Sequence, residues 1–471
     1  MTRSSSRLWT AALYAGMVLG TIGLFLLIRG YGEGLPAPPP AAGGTSGGSA
    51  ATATPDTLFH VLLALAAVLV AGRSTGLLLG LLGQPVVIGE VVAGILLGPS
   101  LLGRVAPSVS AYILPVEVAP YLGLVAQIGV AFYMFLVGLD LNVALLRRRA
   151  SAAVATSHAS IVVPFLLGST MALYLYPRLS TSDVSFTSFA LFMGVALSVT
   201  AFPVLARILA DRGMAQTEFG AVALACAAAD DVTAWCLLAF VSGVAQARGA
   251  GALVVAVLTA GFIACMFIFI RPLAVRLVDR ARDTPPTSGA IAFVLLCVLL
   301  SAVTTELIGV HAIFGAFLFG VIVPHDSALA RALIQRLQDF VTILLLPAFF
   351  AITGMRTRID LLAGYDQWLV CGMIVVVATL GKFGGTLAAA RLTGLNWRQA
   401  STLGILMNTR GLMELIVLNV GLDLGVISPT LFAMLVIMAL VTTLATTPVV
   451  QLVHRQKMVE ARSDSWLANI G

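Results

Sequence analysis

Fourteen apolar stretches, separated by short polar connections, follow one another along the chain. They lie near residues 8–28, 57–82, 86–103, 120–140, 152–176, 186–211, 217–245, 252–278, 289–308, 310–324, 339–355, 366–391, 399–422 and 429–452. A helix crosses the roughly 30 Å hydrocarbon core of a bilayer with about 20 apolar residues, so each stretch predicts a membrane span. The predicted architecture is therefore all-α and polytopic. Residues 57–245 and 289–452 form two halves of six spans each, with 252–278 as the helix connecting them.

One span in each half is interrupted. In the first half the interruption is Ser198-Val199-Thr200-Ala201-Phe202-Pro203, where Pro203 removes a backbone donor and clashes with the preceding turn. In the second it is Asn408-Thr409-Arg410-Gly411. Broken helices in corresponding places of two halves are a sequence signature of a transporter's midplane site, because their freed backbone groups and half-helix ends can coordinate ions. Irregular backbone at that depth must be buried in protein or line water.

Residues 8–28 follow Arg3 and Arg7 and precede a Gly/Pro/Ala/Ser-rich linker, 29–56. A signal peptide has an apolar core of about 7–15 residues, and this core is long enough to span, which favours a retained anchor helix over residues 1–28. The charges test the alternation independently of hydropathy. With the N-terminus on the cytoplasmic side, 18 Arg and Lys residues fall inside and 6 outside, and Arg73, Lys382 and Arg410 fall within spans. That bias supports the alternation and places both termini in the cytoplasm, including a short tail, 453–471.

Composition agrees, with 59% hydrophobic residues, 10% charged residues and a mean hydropathy of +1.02 over 471 residues. Spans and loops leave no room for a sizeable soluble domain between residues 57 and 452. The net charge of +6 comes from arginines at span ends rather than a continuous basic patch, which argues against nucleic acid as a partner. Cys226, Cys236, Cys265, Cys297 and Cys371 all lie in apolar segments, show no metal-ligand spacing and read as small buried hydrophobes. No nucleophile–base pair suggests an enzyme, and no cofactor is expected.

The candidate chemistry lies in a few charges that hydropathy places inside the membrane. Asp230 and Asp231 are preceded by eleven uncharged residues and followed by fifteen, too far from an interface for snorkelling. An Asp at the centre of a membrane helix costs roughly 2.5–3.5 kcal/mol on insertion scales, so a pair implies a partner, a water-filled cavity or a bound ion. Adjacent helical residues point about 100° apart, so the two carboxylates need not share one role. Carboxylate oxygens suit sodium, potassium or a proton, and competition between cation and proton for them is sufficient for exchange.

Lys382, one of two lysines, is the sole charge in the 24-residue apolar stretch 367–390 and is flanked by Gly381, Gly384 and Gly385, which permit close helix approach. It is the candidate partner of the acidic pair, either as a static bridge or as one that changes partners. Arg410 and Glu414, spaced i, i+4, can pair if the helix continues through Gly411, or Arg410 can offset the field of the aspartates. Glu90, Asp140, Glu306 and His311 read first as structural contacts, with Asn408, Glu306 and His311 also candidates for lining a path. Arg73 reads as a snorkelling residue.

The segments QPVVIGEVVAGILLGPSLLGR at 84–104, SVTAFPVLARIL at 198–209, AAADDVTAW at 227–235, IGVHAIFGAFLFGVIVP at 308–324 and MNTRGLMELIVLNVG at 407–421 resemble the monovalent cation:proton antiporter-2 family. That family includes plant cation/proton exchangers and Kef-type potassium efflux proteins, and the motifs cover residues 57–452 in order. The resemblance implies the sodium/proton-antiporter fold: two inverted six-helix repeats with crossed broken helices, a 13-helix core, and here an additional N-terminal helix. It further implies a homodimer in which one domain moves elevator-like against the other. Carried over by motif, Asp231 would bind the cation or proton and Asp230 would be its variable neighbour. Thr200 would lie at the crossover, Lys382 would face the acidic pair, and Arg410 would lie in the second broken helix beside Asn408. The Asp-Asp form resembles electrogenic members.

The expected function is a secondary antiporter of the cell membrane exchanging Na+ or K+ for H+, with a role in pH homeostasis. The alkali cation would be held by Asp231 and Asp230, with Thr200 completing the cation- and proton-binding set, and membrane lipids would surround the protein. Only 19 residues follow the last span, so regulation through an appended nucleotide-binding domain is not expected. A Kef-like gated potassium channel is the rival, although no TVGYG-like filter is present. Efflux of a larger organic cation would require a wider cavity.

Overall fold

The structure, a computed structural model, describes residues 3–38, 57–82, 84–140, 150–181, 184–211, 214, 217–246, 251–280, 287–324 and 326–467. Most of the predicted linker (39–56) and five of the arginines counted on the cytoplasmic side, Arg147, Arg148, Arg149, Arg212 and Arg282, lie outside the described residues. Within them the chain is helical, and eleven helices are long and apolar enough to span a membrane, or twelve if the bent pair Trp397–Met407 and Leu412–Asp423 is one span.

The count departs from fourteen at identifiable places. Predicted span 186–211 is divided into Phe186–Ser198 and Phe202–Asp211, and span 310–324 contains only Ala312–Ile322. That helix is cut short because Gly309, at φ 95°, ends the preceding helix and His311 caps the next. The predicted 339–355 span begins earlier, with an amphipathic Ala328–Phe340 segment whose polar residues hide it from hydropathy. A wider π turn, Val341–Leu345, joins it to Leu346–Arg356, and another, Met266–Ile270, joins Gly251–Cys265 to Arg271–Arg280. Pro347 and Pro272 follow two residues after these turns, whose shifted bonding accommodates the missing N–H.

The helices pack as two bundles. The first three helical units of each half, 57–140 and 288–356, form a scaffold bundle. The last three of each half, 150–246 and 365–467, form a site bundle, against which the N-terminal helix Arg3–Gly32 also packs. Glycines permit the closest approaches: Gly138 and Gly320 lie against each other's helix backbone, as do Gly94 and Gly354. Large apolar side chains such as Leu77, Leu307 and Leu380 point outward, as a lipid-facing surface requires. Cys236 and Cys265 are also exposed, correcting the expectation that every cysteine is buried.

Long-range contacts join positions that the alternation assigns to the same face. Thr187 donates to Glu33, Thr181 to the Gly425 carbonyl, Ser428 to the Leu179 carbonyl and Ser100 to the Thr357 carbonyl. On the opposite face, Gln84 donates to the Leu444 carbonyl.

Candidate ion site

The two interrupted spans meet at their breaks. In the first, Val199 is extended at φ −66°, ψ 140°, and Pro203 falls in the first turn of the second half-helix, where a missing N–H costs least. In the second, the half-helices are bent by 42° around Asn408–Gly411. The Ala201 N–H donates to the Thr409 carbonyl at 3.0 Å, and the Thr200 hydroxyl lies 3.1 Å from the Met407 carbonyl. Each break thus supplies partners for main-chain groups that the other leaves free.

The C-terminal end of Phe186–Ser198 is neutralised by two buried cations. Arg410 donates to the carbonyls of Ala196 at 2.8 Å and Leu197 at 2.7 Å, and Lys382 donates to the carbonyl of Ser198. This is the end of a helix that favours positive charge. Arg410 also pairs with Glu414 at 2.7 Å, both side chains fully buried. The pair forms without a continuous helix through Gly411: Arg410 lies in the break and Glu414 in the first turn beyond it. Main-chain Arg410 is held by Thr443, which accepts from its N–H at 2.9 Å and donates to its carbonyl at 2.7 Å.

Asp230 and Asp231 lie midway along Glu218–Gln246, and their environments differ sharply. Asp230 meets four side chains. Its Oδ1 accepts from Ser157 at 2.5 Å, and its Oδ2 lies 2.9 Å from the Ser160 hydroxyl, 2.8 Å from the Thr200 hydroxyl and 2.8 Å from the Lys382 ammonium. Lys382 is saturated in turn, its three N–H groups facing Asp230, the Ser198 carbonyl and Ser160. Asp231 is 3% exposed, yet among the described residues neither of its oxygens has a hydrogen-bond partner. The Phe202 N–H, at the start of the second half-helix, is directed toward it without reaching hydrogen-bond geometry.

The remaining sequence candidates are dispersed. Asn408 lies in the second break, buried, with its Oδ1 unpartnered among the described residues. Glu306 accepts from the Ala312 N–H at 2.8 Å, and His311 is the N-cap of the same helix; both are away from the aspartates, in the scaffold bundle. Glu90 is buried in that bundle, whereas Asp140 and Arg73 are exposed. Ser157 and Ser160 escaped the sequence reading, because a serine in an apolar span usually bonds its own helix. Their i, i+3 spacing, which puts both on one face, is the only local signal. Of the three glycines beside Lys382, Gly381 and Gly385 pack against the Ala150–Leu179 helix, and Gly384 faces open space.

A saturated carboxylate beside an unsatisfied one, at the crossing of two broken helices in a lipid-facing helical protein, fits the class of membrane transporters and makes this crossing the candidate ion site. The chain belongs to the transmembrane sodium/hydrogen exchanger family, which residues 63–453 match. It is 43% identical over 401 residues to the Na(+)/H(+) antiporter NhaS4 of Synechocystis, an alignment covering 84% of this chain and 97% of that one. It is 41% identical over 413 residues to cation/H(+) antiporter 20 of Arabidopsis thaliana, covering 84% of this chain but 49% of that longer protein. The fold is similar to that of the sodium proton antiporter MjNhaP1 of Methanocaldococcus jannaschii, with a TM-score of 0.62 at 14% identity over 85% of this chain and 97% of that one.

Proposed function

We propose that this chain exchanges a monovalent cation, sodium or potassium, for protons, and that Asp231 is the carboxylate for which the two compete. The observation that carries this reading is the pair of buried, unpartnered Asp231 oxygens beside a fully engaged Asp230. Asp230 is balanced by Lys382 and Glu414 by Arg410, so an ionised Asp231 is the site's uncompensated charge. A bare buried carboxylate is costly in a membrane, and a bound cation or proton removes that cost. Only the loaded or protonated site then changes sides, which makes the exchange obligatory.

The site bundle is the moving part in this reading, sliding elevator-like against a scaffold bundle through which two copies pair as a homodimer. Electrogenic exchange needs a second proton, and Lys382 is the group to supply it: a cation that draws Asp230 away leaves the ammonium without its ion partner. The termini lie on the cytoplasmic side of the cell membrane, the face richer in Arg and Lys.

Proteoliposomes with a pH dye inside test the reading. Sodium or potassium added outside should move protons with the native protein and not with Asp231→Asn. Cation-driven proton movement by Asp231→Asn would overturn the assignment of Asp231. Potassium flux without proton counterflow would identify a channel instead.

A further inference from the structure

Asp231 is not the only buried polar group on its helix face without a partner. Asp231, Trp235, Leu238 and Ser242 recur at intervals of 4, 3 and 4 residues and so lie within one narrow stripe of the helix. Among the described residues the Trp235 Nε1 and the Ser242 hydroxyl also lack hydrogen-bond partners, although the two residues are 3% and 1% exposed. Buried polar atoms are almost always bonded, and three unmet groups along a single stripe point to a shared mobile partner such as water or a hydrated ion.

The stripe runs toward His311. A small cavity is lined by Trp235, Leu238, Ser242, Val310, His311 and Val420. A second, more polar cavity shares His311 and Val420 with it and adds Gln127, Arg356, Asn419 and Asp423. This second cavity lies at the seam between the bundles, where Leu346–Arg356 of the scaffold packs against Leu412–Asp423 of the site bundle. Polar contacts cross the seam there: Arg356 donates to Asp423 at 2.8 Å and to Asn419 at 3.1 Å, while Asn419 donates to Thr353 at 2.8 Å. The Arg356 and Asp423 side chains are 36% and 35% exposed, so their ion pair is screened and weak enough to open.

We propose that ions and water reach Asp231 from the face bearing His311, along the Trp235–Ser242 stripe, and that the Arg356–Asp423 pair latches the entrance of this route. The inference rests on Asp231 being the ion-carrying carboxylate. Neither Trp235 nor Ser242 was singled out by the sequence, where an indole and a hydroxyl in an apolar span read as packing.

Cysteine accessibility tests it. With the five native cysteines replaced, Ser242→Cys in proteoliposomes is treated from either side with a positively charged, membrane-impermeant methanethiosulfonate reagent. Reaction is expected from the His311 face only. Asp423→Asn or Arg356→Gln should accelerate it, by up to about fivefold for an exposed ion pair. A variant retaining only Cys226, which lies off the stripe, should not react from that face. Failure of Ser242→Cys to react in all backgrounds, or a rate unchanged by both latch variants, would overturn the proposal. Labelling reports access without requiring transport. A reactive Ser242→Cys together with an Asp231→Asn protein that still exchanges would therefore leave the route standing and remove the assignment of Asp231.

Discussion

Lys382 Nζ stands 2.8 Å from Asp230 Oδ2, while Asp231, adjacent in sequence, has no side-chain partner among the described residues. The consequence is a divergence between the two Asp→Asn variants. Removing the Asp230 charge strands a fully buried ammonium, and breaking a buried ion pair from one side costs about 3–5 kcal/mol. Asp230→Asn should therefore lower the melting temperature of purified protein by many degrees. Asp231→Asn breaks no hydrogen bond or ion pair among the described residues and should melt at or above the native temperature while losing exchange. Equal melting temperatures for the two variants would contradict the division of roles.

The Lys382–Asp230 pair also makes a prediction about charge movement. If Lys382 supplies the second proton, Lys382→Gln leaves only the Asp231 proton to balance one monovalent cation. Residual exchange in that variant should be insensitive to an imposed membrane potential, whereas native exchange should respond. A voltage response that persists in Lys382→Gln would assign the bridge a static role.

Arg410 joins the two broken spans through Ala196, Leu197 and Glu414. A guanidinium presents several donors in a fixed planar fork, which an ammonium cannot reproduce. Arg410→Lys should therefore fail to restore the native melting temperature. Glu414→Gln should be harmful as well, since it leaves a buried guanidinium without its counter-charge. Combining Arg410→Gln with Glu414→Gln should recover part of the loss, because one-sided removal is the costly case, and a double-mutant cycle on thermal unfolding measures the coupling.

The spans were legible because burial in lipid demands long apolar runs, and the breaks because Pro203 and Gly411 interrupt such runs visibly. Asp230, Asp231 and Lys382 stood out by their isolation among apolar residues. Which aspartate takes the lysine was not legible, since that depends on how the Ala150–Leu179 helix brings Ser157 and Ser160 against one side of the pair. Nor could spacing reveal Arg410 reaching Ala196 and Leu197 across more than 200 residues. Hydropathy likewise overstated the 310–324 span, because Gly309 and His311 set its start by backbone conformation and capping rather than by polarity.

The glycines around Lys382 tie helix packing to the Asp230 network. A Cβ on Gly385 would lie 2.9 Å from the Ala159 carbonyl oxygen, and one on Gly381 would lie 3.1 Å from Pro164 Cα, whereas one on Gly384 would meet nothing. Ala159 sits between Ser157 and Ser160 in the chain, so a side chain at 385 would push away the helix that supplies two of Asp230's partners. Gly385→Val should destabilise by about 1–3 kcal/mol, the usual range for overpacking, and should reduce exchange along with the melting temperature. Gly384→Ala, in open space within a helix, should instead be neutral or stabilise by about 0.5–1 kcal/mol, with exchange unchanged. Thermal unfolding and proteoliposome flux measured on both variants decide the matter, and equal losses at 384 and 385 would show that glycine flexibility, rather than close packing, is what this helix requires.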